Sequence, residues 1–508
     1  MFVPSVHQQR IFDFVAKGRG SAVVIAVAGS GKTTTVMKSL TYIPEMNGRY
    51  PTGVQLFAFN TPIAQEMKSR LNTMKMELGR DFRGFRASTF HSVGYGALLK
   101  YLNCSAEQLK PDGSKCIKLC REWLGEYEMD LYGAFITKLV GLAKGEGIGA
   151  LVPDTEDRWY SLIQHHDLYL ESEEATETRA VELARELLAR SNAAAKARNI
   201  DFDDMLYLPL LWKLRLWQND WVFIDEAQDT NPVRRAIAKL ALRPGGRLIA
   251  VGDPRQAIYG FTGASHDAIE LIKREFSCIE LPLTISYRCP KVIGRKVKAL
   301  VPYFETHEDA PEGEEHHLGL KETLAMLTDH DVILCRNTAP LIATAYQIIA
   351  TGRGCGVLGK DIGEGLVNVV KKMRAKTLSG LVEKLSTWRE REVAKWTAKG
   401  EEGKAEAAND KAECLNVVID HLSENDRTIP KLLGKIEGMF KDGNGTLTLS
   451  TAHKAKGREW NKVAILRPDL MPSKWARQDW QRAQEDNLIY VAWTRVQHSI
   501  LFITPNAE

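Results

Sequence analysis

The chain has 508 residues, more than one hydrophobic core usually organises, so we expect two or more domains. Apolar residues make up 44% of the sequence and charged residues 26%, which is typical of a folded globular protein and excludes a disordered or fibrous one. The formal net charge is only +4, so affinity for nucleic acid would have to come from the arrangement of Lys and Arg on the surface.

The eight cysteines are scattered, and the nearest pair, Cys116 and Cys120, lacks the CxxC spacing of a zinc site. Free thiols in a reducing compartment are therefore expected. The first residues lack the apolar core of a signal peptide, and no apolar run is long enough to cross a bilayer. These features predict a cytoplasmic protein.

Short runs rich in β-branched residues, each followed by sequence of helical character, recur along the chain. The first set of these predicted strands is Val23–Val27, Gln55–Phe59, Trp221–Ile224 and Arg247–Val251. The second set is Cys278–Leu281, Asp331–Cys335, Thr446–Ser450, Lys462–Leu466 and Ser499–Thr504. Strands that alternate with helices predict parallel sheets covered on both faces. Two α/β layers in series are the simplest account.

Two stretches have a different, helix-rich character. Residues 97–200 include ESEEATETRAVELARELLAR, whose strong helix formers and apolar spacing predict a helical insertion. Residues from about 362 to 443 include REREVAKWTAKGEEGKAEAANDKAE, which could form a solvated helix or a mobile linker. A solvated helix is the favoured interpretation.

The segment AVAGSGKTTT, Ala26–Thr35, lies between a predicted strand and a predicted helix, where a phosphate-binding loop must lie. Gly29 and Gly31 permit a tight turn that points N–H groups at a phosphate. Lys32 supplies a cation for the terminal phosphates, and the Thr33 hydroxyl can ligate Mg²⁺. Ala26 stands where the strict motif has Gly, and the alternative is a Gly-rich turn with a surface lysine.

A second acidic motif supports the phosphate-loop interpretation. The strand predicted at Trp221–Ile224 ends in Asp225 and Glu226. In isolation such a pair is more often a helix cap or a solvated turn. Together with the loop, Asp225 can hold Mg²⁺ while Glu226 polarises the attacking water, which predicts hydrolysis of a nucleoside triphosphate.

With these residues placed, the chain resembles the UvrD/Rep family of superfamily 1 helicases from about residue 5 to about residue 505. The motifs follow one another in the order of that family. After AVAGSGKT they are LFAFNTPIAQEM, STFHSVGYGALL, IDFDDMLYL, VFIDEAQDTNP, VGDPRQAIYGFTGA, LPLTISYRCP, ILCRN, STAHKAKGREWNKV and NLIYVAWTR.

The resemblance implies an α/β fold with two RecA-like P-loop NTPase domains, each a parallel sheet flanked by helices, and with helical insertions. The implied domains are 1A at 1–96 and 201–275, insertion 1B at 97–200, 2A at 276–361 and 444–508, and a short insertion 2B at 362–443. This 2B is shorter than in UvrD or Rep and closer to the F-box DNA helicase branch and phage-encoded relatives.

The resemblance also implies an ATP site with bound Mg²⁺, the ion being held by Thr33 and Asp225. Gln9 would recognise adenine, with neighbouring Gln8 as the alternative register, and Tyr287 would stack on the base. The implied catalytic residues are Lys32, Asp225, Glu226, the γ-phosphate sensor Gln256, and the γ-phosphate arginines Arg288 and Arg495. The other nucleotide contacts are Ala28, Gly29, Ser30, Gly31, Thr33, Thr34, Gly457 and Glu459, the last near the ribose.

For DNA, the resemblance points to Phe59, Asn60, His91, Tyr259, Phe261 and His453. Aromatic rings stack on bases without reading sequence, which suits a motor on any strand. The alternative is that Phe59 and Tyr259 are core aromatics. The sequence departs from the family at Pro62 and Thr262, which replace the usual Lys and Arg, and at Trp493, where a small or aliphatic residue is usual.

The leading hypothesis is an ATP-dependent DNA helicase that moves 3′ to 5′ on single-stranded DNA and meets duplex junctions, in replication, repair or recombination. The direction comes from the resemblance alone. Protein partners in repair or replication are compatible with this interpretation, a membrane partner is not expected, and a monomer is plausible. A second hypothesis is a translocase or motor subunit with little unwinding of its own. A third is a P-loop NTPase switch that ignores nucleic acid.

Overall fold

The structure is a computed structural model that describes residues 3–44, 52–78, 84–166, 168–170, 172, 174–258, 267–398, 402–440, 447–476 and 479–504. The chain divides into two compact units. The first comprises Met1–Ala26 and Gly31–Leu283, and the second comprises Val27–Ser30 and Thr284–Glu508.

The first unit is built on a parallel six-stranded sheet whose order is β3-β2-β4-β5-β1-β6. Its strands are β1 (Ala22–Ala26), β2 (Val54–Ala58), β3 (Phe85–Thr89), β4 (Asn219–Ile224), β5 (Leu242–Gly252) and β6 (Ile279–Leu283). The central strands are almost wholly buried, as expected for apolar strands covered by helices on both faces.

The helices of the first unit follow the strands and include a separate helical insertion. They are α1 (Val6–Lys17), α2 (Lys32–Ser39), α3 (Thr61–Leu78), α4 (Phe90–Tyr101), α5 (Lys115–Trp123), α6 (Glu126–Glu146), α7 (Glu156–His165), α8 (Glu177–Lys196), α9 (Asp204–Leu211), α10 (Pro232–Ala241) and α11 (Ala268–Glu275). Helices α5–α8 surround a hydrophobic core that includes Leu139, Trp159 and Leu187 and that they share with α4 and α9. The helix-rich character predicted for residues 97–200 is therefore confirmed.

The second unit contains another parallel six-stranded sheet, with the order β11-β12-β10-β13-β14-β9. The strands of this unit, including the separate pair β7 and β8, are β7 (Ile285–Ser286), β8 (Glu305–Thr306), β9 (Glu314–Leu318), β10 (Val332–Cys335), β11 (Cys355–Val357), β12 (Leu447–Thr451), β13 (Trp460–Leu466) and β14 (Val496–Ile503). Two parallel-sheet α/β units are thus present, as the sequence predicts.

The helices of the second unit include a group that packs directly on its sheet. The helices are α12 (Lys291–Val297), α13 (Leu320–Met326), α14 (Thr338–Ala350), α15 (Lys360–Lys372), α16 (Leu378–Ala398), α17 (Glu402–Asp420), α18 (Ile429–Met439) and α19 (Asp479–Trp493). Leu381, Leu415 and Leu432 of α16–α18 share one hydrophobic core with Ile333 and Leu449 of the sheet. The described helices of residues 362–443 are therefore part of the core of the second unit.

The helix predicted for the charged segment within 362–443 is present as parts of α16 and α17. It is solvated on one side only, because Trp396 is 1% exposed and Cys414 is buried. The prediction of a solvated helix rested on the charged residues, but the apolar residues between them are buried and hold both helices to the protein.

One strand of the second predicted set belongs to the first sheet. Strand β6 pairs in parallel with β1, with Ala22 opposite Ile279, so the assignment of Cys278–Leu281 to the second layer is wrong. The boundary between the units consequently falls after Leu283 rather than after residue 275. Chain order alone does not reveal that β6 returns to the edge of the first sheet.

Two expectations from composition can be compared with the structure. All eight cysteines are free thiols. Among the helices that the structure describes, none has both the length and the apolar character needed to span a bilayer.

Candidate nucleotide site and nucleic-acid contacts

The phosphate loop connects β1 to α2. Gly29 and Gly31 have positive φ angles of 73° and 77°, a region that side-chain-bearing residues adopt only at a cost. Gly31 is the N-cap of α2, so the helix begins at Lys32 with its free N–H groups at the loop. This end of a helix favours anions, which agrees with the predicted phosphate site.

Two acidic residues follow the end of β4, close to the start of α2. Thr33 donates a hydrogen bond from Oγ1 to Asp225 Oδ2 at 3.0 Å. Lys32 Nζ lies 3.3 Å from Glu226 Oε2. Because the strands are parallel, their carboxyl ends lie at one edge of the sheet and bring together residues almost 200 positions apart in the sequence. The structure thus brings together Lys32 and Thr33 of the phosphate loop with Asp225 and Glu226 of the acidic motif.

Two further residues connect this edge to Gln256. Gln228 donates from Nε2 to Glu226 Oε2 at 2.6 Å, and its Oε1 accepts from the Asp253 N–H at 3.0 Å. Asp253 Oδ2 in turn accepts from Gln256 Nε2 at 2.7 Å. The sequence analysis missed Gln228 and Asp253. Both residues could have been found from the sequence, because Gln228 lies in VFIDEAQDTNP and Asp253 in VGDPRQAIYGFTGA, each shortly after the end of a strand.

Lys32, Asp225, Glu226 and Asp253, here called the loop cluster, carry unequal charge, with one lysine for three carboxylates. Burial and the charge of Glu226 raise the pKa of Asp225 to about 6, against the opposing effects of Lys32 and Thr33. Burial alone would lower the pKa of Lys32, but Glu226, Asp253 and Asp225 together raise it. Lys32 therefore stays charged, and the cluster retains excess negative charge at neutral pH.

The chemistry of the loop cluster fits a divalent cation. Mg²⁺ prefers hard oxygen ligands, and the Thr33 hydroxyl and the Asp225 carboxylate lie side by side. Excess negative charge in a buried site is stabilised by a bound cation. Thr33 and Asp225 are thus chemically suitable ligands for Mg²⁺, and its binding stays a prediction.

The glutamine expected at the adenine is better matched by Gln8 than by Gln9. Gln8 is buried, shares a capping box with Ser5, and donates to Thr35 Oγ1 at 3.1 Å in the helix that follows the loop. Gln9 instead donates to Asp13 in a solvent-exposed hydrogen bond. These contacts favour the alternative register, while a role of either glutamine at adenine stays a prediction.

In the second unit, Arg495 is 1% exposed and is held by its own surroundings. Its guanidinium donates to the carbonyl of Val491 at 2.9 Å, to the carbonyl of Arg458 at 3.2 Å and to Thr494 Oγ1 at 3.1 Å. The sequence predicted a buried segment that ends in a charge, and the structure shows the main chain that accommodates this charge.

Arg288 forms an ion pair with Glu459, and its Nη1 lies 3.4 Å from the Thr494 carbonyl. Tyr287 is 44% exposed, and its ring centroid lies 4.8 Å from that of His307. Arg288 and Glu459 are thus brought together, while the Tyr287 ring keeps an exposed face.

The remaining predicted nucleotide contacts occupy loops and a helix start. Val27–Ser30 pack with the second unit, where the Ala28 N–H donates to the Tyr490 hydroxyl at 2.6 Å. Ser30 Oγ donates to the Val27 carbonyl at 2.8 Å. Thr34, in α2, lies 3.4 Å from Arg70 Nη1, and Gly457 has a φ of 83° in an exposed turn.

Two of the predicted DNA contacts in the first unit lie around Arg234. Its guanidinium carbon lies 5.2 Å from the centroid of the half-buried Phe59 ring. Burial, together with the charge of Arg234, lowers the pKa of His91 to about 4. Asn60 is exposed and caps α3 by accepting from the Ile63 N–H at 3.0 Å. The sequence analysis missed Arg234, because no pattern linked it to Phe59.

The other predicted DNA contacts are dispersed. Tyr259 and Phe261 lie outside the described residues. His453 is in the second unit, where burial and the charge of Arg336 lower its pKa to about 4, while Glu485 opposes the shift. Trp493, whose role was open, packs edge-on against Phe502 and lies below the Lys296 ammonium.

The motif IDFDDMLYL forms a second buried cluster of charges, here called the insertion cluster. Lys115 and Lys144 are fully buried and face Asp204 and Asp201 at 2.6–2.7 Å. Burial lowers the pKa of Lys115, whereas Asp204 and Asp201 raise that of Lys144 against the effect of burial. Neighbouring Asp203 keeps an exposed surface, but partial burial of its carboxylate and the charge of Asp201 raise its pKa to about 6. The motif thus ties α5 and α6 to α9 and has a structural role.

Comparisons with known proteins agree with this architecture. A model of the UvrD/REP helicase N-terminal domain matches residues 7–277, which are 271 of the 508 residues, and one of the UvrD-like helicase C-terminal domain matches residues 365–507. The ATP-dependent DNA helicase Rep of Escherichia coli is 29% identical over 314 residues, which cover 58% of this chain and 42% of Rep.

Two mycoplasma proteins are similarly related. A probable DNA helicase II homolog of Mycoplasma capricolum is 28% identical over 287 residues, covering 53% of this chain and 37% of that protein. A probable DNA helicase of Mycoplasma pneumoniae is 26% identical over 288 residues, covering 53% and 50%. The aligned part of the chain thus spans half or less of the length of these relatives. Because the first domain model matches more than half of this chain, the chain belongs to the UvrD/REP helicase family.

Proposed function

We propose that this chain is an ATP-dependent motor that moves on single-stranded DNA and unwinds duplex DNA at junctions, 3′ to 5′ as its family resemblance suggests. The observation that carries the proposal is the loop cluster, in which Lys32 of the phosphate loop lies beside three carboxylates in a fold of the UvrD/REP helicase family. The relatives named as DNA helicases support the choice of DNA.

Hydrolysis needs a cation for the terminal phosphates and a base that orients water. Lys32 is the cation, and its pKa is raised by its carboxylate neighbours, so it stays protonated. Glu226 is the base, and the hydrogen bond from Gln228 fixes its carboxylate. Mg²⁺ held by Thr33 and Asp225 would neutralise charge on the phosphates.

The link between Glu226 and Gln256 supports a role for Gln256 as the sensor of the γ-phosphate. Gln228 and Asp253 join the two residues through consecutive hydrogen bonds. A change at Glu226 on hydrolysis would therefore be transmitted to the segment that follows Gln256. The predicted DNA contacts Tyr259 and Phe261 come next in the sequence.

The resemblance assigns Arg288 and Arg495 to the γ-phosphate, where a guanidinium stabilises the charge that develops during transfer. Phe59, Asn60 and His91 are proposed as DNA contacts. Phe59 and His91 lie near a half-buried cation, Arg234, which suits a strand that carries phosphates between its bases.

Three assays on one preparation test the proposal. ATP hydrolysis with and without an oligonucleotide separates a DNA motor from a nucleotide switch. Unwinding of a duplex with a 3′ tail, compared with displacement of streptavidin from a biotinylated single strand, separates a helicase from a translocase. Hydrolysis that DNA stimulates, with unwinding of the 3′-tailed duplex, is the expected result; a 5′-tail preference would contradict the direction.

A further inference from the structure

A groove of about 740 Å³ runs along β3, the outermost strand of the first sheet. Its walls come from α3, α4 and the segment that precedes β4, and its floor includes β3 itself. Of the predicted nucleotide and DNA contacts that the structure describes, none lines this groove.

The lining of the groove is strongly cationic. Within the described residues, its wall contains no Asp or Glu, although the whole chain has 68 Lys and Arg against 64 Asp and Glu. The lining cations, all of them exposed, are Lys68, Lys75, Arg86, Lys100 and Arg215. This concentration of positive charge in a concave surface favours a polyanion.

An exposed aromatic ring lies among these cations. Trp217 is 65% exposed, and the guanidinium carbon of Arg86 lies 4.9 Å from the centroid of its ring. Asn72, Ser88 and Ser92 add neutral hydrogen-bonding groups to the lining. Exposed aromatic rings between cations are the usual platform for unpaired bases, because the base stacks while its phosphate meets a cation.

One end of the groove lies at the sheet edge that carries the proposed DNA contacts. Ser88 and Ser92 line the groove on either side of the β3 terminus, and His91 lies between them in the sequence. The last residue of β3, Thr89, pairs with Ala58, which directly precedes Phe59. A strand bound at Phe59 and His91 can therefore continue into the groove.

We propose that this groove binds the sugar-phosphate backbone of single-stranded DNA that extends beyond Phe59 and His91, with one base stacked on Trp217. The choice of DNA as the bound polyanion rests on the proposed function, whereas the groove is a site in addition to the predicted DNA contacts. A single strand is favoured over a duplex because the bases of a duplex are already stacked on one another.

The test compares two double variants of matched charge. Lys75→Gln with Arg86→Gln removes one Lys and one Arg from the groove, and Lys17→Gln with Arg19→Gln removes the same pair from an exposed site in the same unit. Fluorescence anisotropy gives the Kd for oligothymidylates of about 8 and about 20 nucleotides, since single-strand sites span roughly 4–16 nucleotides per module.

For the longer oligonucleotide, the groove variant should weaken binding about tenfold and reduce the slope of log Kd against log salt by about 1.4, since each lost phosphate contact contributes about 0.7. The short oligonucleotide and the control variant should bind as the parent protein does. Trp217→Ala, an independent variant, should weaken binding of the longer oligonucleotide about tenfold with little change in the salt slope.

Equal affinities of parent, groove variant and Trp217→Ala for the longer oligonucleotide would overturn the groove proposal alone, provided that DNA still stimulates ATP hydrolysis. If parent protein binds neither oligonucleotide and its hydrolysis ignores DNA, the proposed function fails with it. Poly-L-glutamate of equal charge that displaces the longer oligonucleotide at lower concentration than oligothymidylate does would assign the groove to acidic proteins instead.

Discussion

The first unit holds two buried clusters of lysines and carboxylates that differ in charge balance. In the insertion cluster, two lysines face Asp201 and Asp204. In the loop cluster, a single lysine, Lys32, faces three carboxylates, and the pKa of Asp225 is raised to about 6, chiefly by burial and by the charge of Glu226. The insertion cluster has two lysines for these two carboxylates, whereas the loop cluster has one lysine for three.

The ratio of lysines to carboxylates distinguishes a structural cluster from a catalytic one more clearly than burial does. Both clusters are buried, and both come from motifs that follow the order of the UvrD/Rep family. Burial of a matched pair stabilises the fold only when each charge keeps its partner. A shifted pKa does not distinguish the two clusters, because the pKa of Asp203 beside the insertion cluster is also raised to about 6, so the ratio of lysines to carboxylates is the distinguishing feature. Substitutions in the two clusters should therefore affect different measurements.

Lys32→Ala should have the largest effect, which is the loss of ATP turnover, because it leaves the phosphate charge uncompensated. DNA binding should survive. Phosphate release under saturating ATP and DNA measures the effect, and thermal melting confirms that the variant is folded. Turnover at the parental rate would show that the phosphate site is assigned wrongly.

Arg495→Ala should reduce turnover about 10³-fold with nearly unchanged ATP affinity, as for an arginine that acts in the transition state. Some loss of thermal stability should accompany it, because the Val491 and Arg458 carbonyls lose a donor. Arg495→Lys serves as the control, because it keeps the positive charge but loses the planar set of N–H donors of the guanidinium. A folded Arg495→Ala protein with parental turnover contradicts the role.

Glu226→Gln should lower turnover by about 10²-fold or more while ATP and Mg²⁺ still bind, because the amide keeps its shape but cannot act as a base. Its melting temperature should not fall, since the charge next to Asp225 is removed and the amide oxygen can still accept from Gln228. Single-turnover hydrolysis is the measurement. Normal turnover would move the catalytic role to another carboxylate, with Asp229 the first to examine.

Lys144→Met should affect stability instead, lowering the free energy of unfolding by about 3–5 kcal/mol because two buried carboxylates then share one lysine. Urea denaturation measures the loss. Arg179→Met, which removes the surface ion pairs with Glu128 and Glu182 in the same insertion, should cost less than about 1 kcal/mol. Equal losses in the two variants would mean that the insertion cluster contributes nothing special.

The smallest expected effect is a partial recovery of the stability that Lys144→Met loses. Adding Asp201→Asn removes the uncompensated charge and keeps an oxygen that accepts from the Asp204 N–H. The double variant should recover part of the lost stability, while turnover per folded molecule stays parental in both proteins. A double variant less stable than Lys144→Met would contradict the charge-balance interpretation.

Much of the fold and the loop cluster could be predicted from the sequence, because apolar strands and phosphate loops have strong local patterns. Strands β3 and β9 were missed because polar residues interrupt them, and β7, β8 and β11 were missed because each has only two or three residues. The return of β6 to the first sheet depends on pairing between distant segments, which local pattern does not encode.

The site shows the same limit. Lys32 and Glu226 lie in recognisable motifs, but Gln8 could be distinguished from Gln9 only by the side of α1 that faces Thr35. The cationic groove was invisible in the sequence because its residues come from separate elements, with Lys68 and Arg215 almost 150 positions apart. The features that could not be predicted from the sequence are therefore those that depend on contacts between distant segments.

The most direct test of the account is the rate of ATP hydrolysis with and without single-stranded DNA, measured on the parent protein beside Lys32→Ala. A DNA motor of the UvrD/REP family should hydrolyse ATP slowly alone and much faster with DNA, and Lys32→Ala should remove both rates. Equal rates with and without DNA in the parent protein would contradict the motor and favour a nucleotide switch.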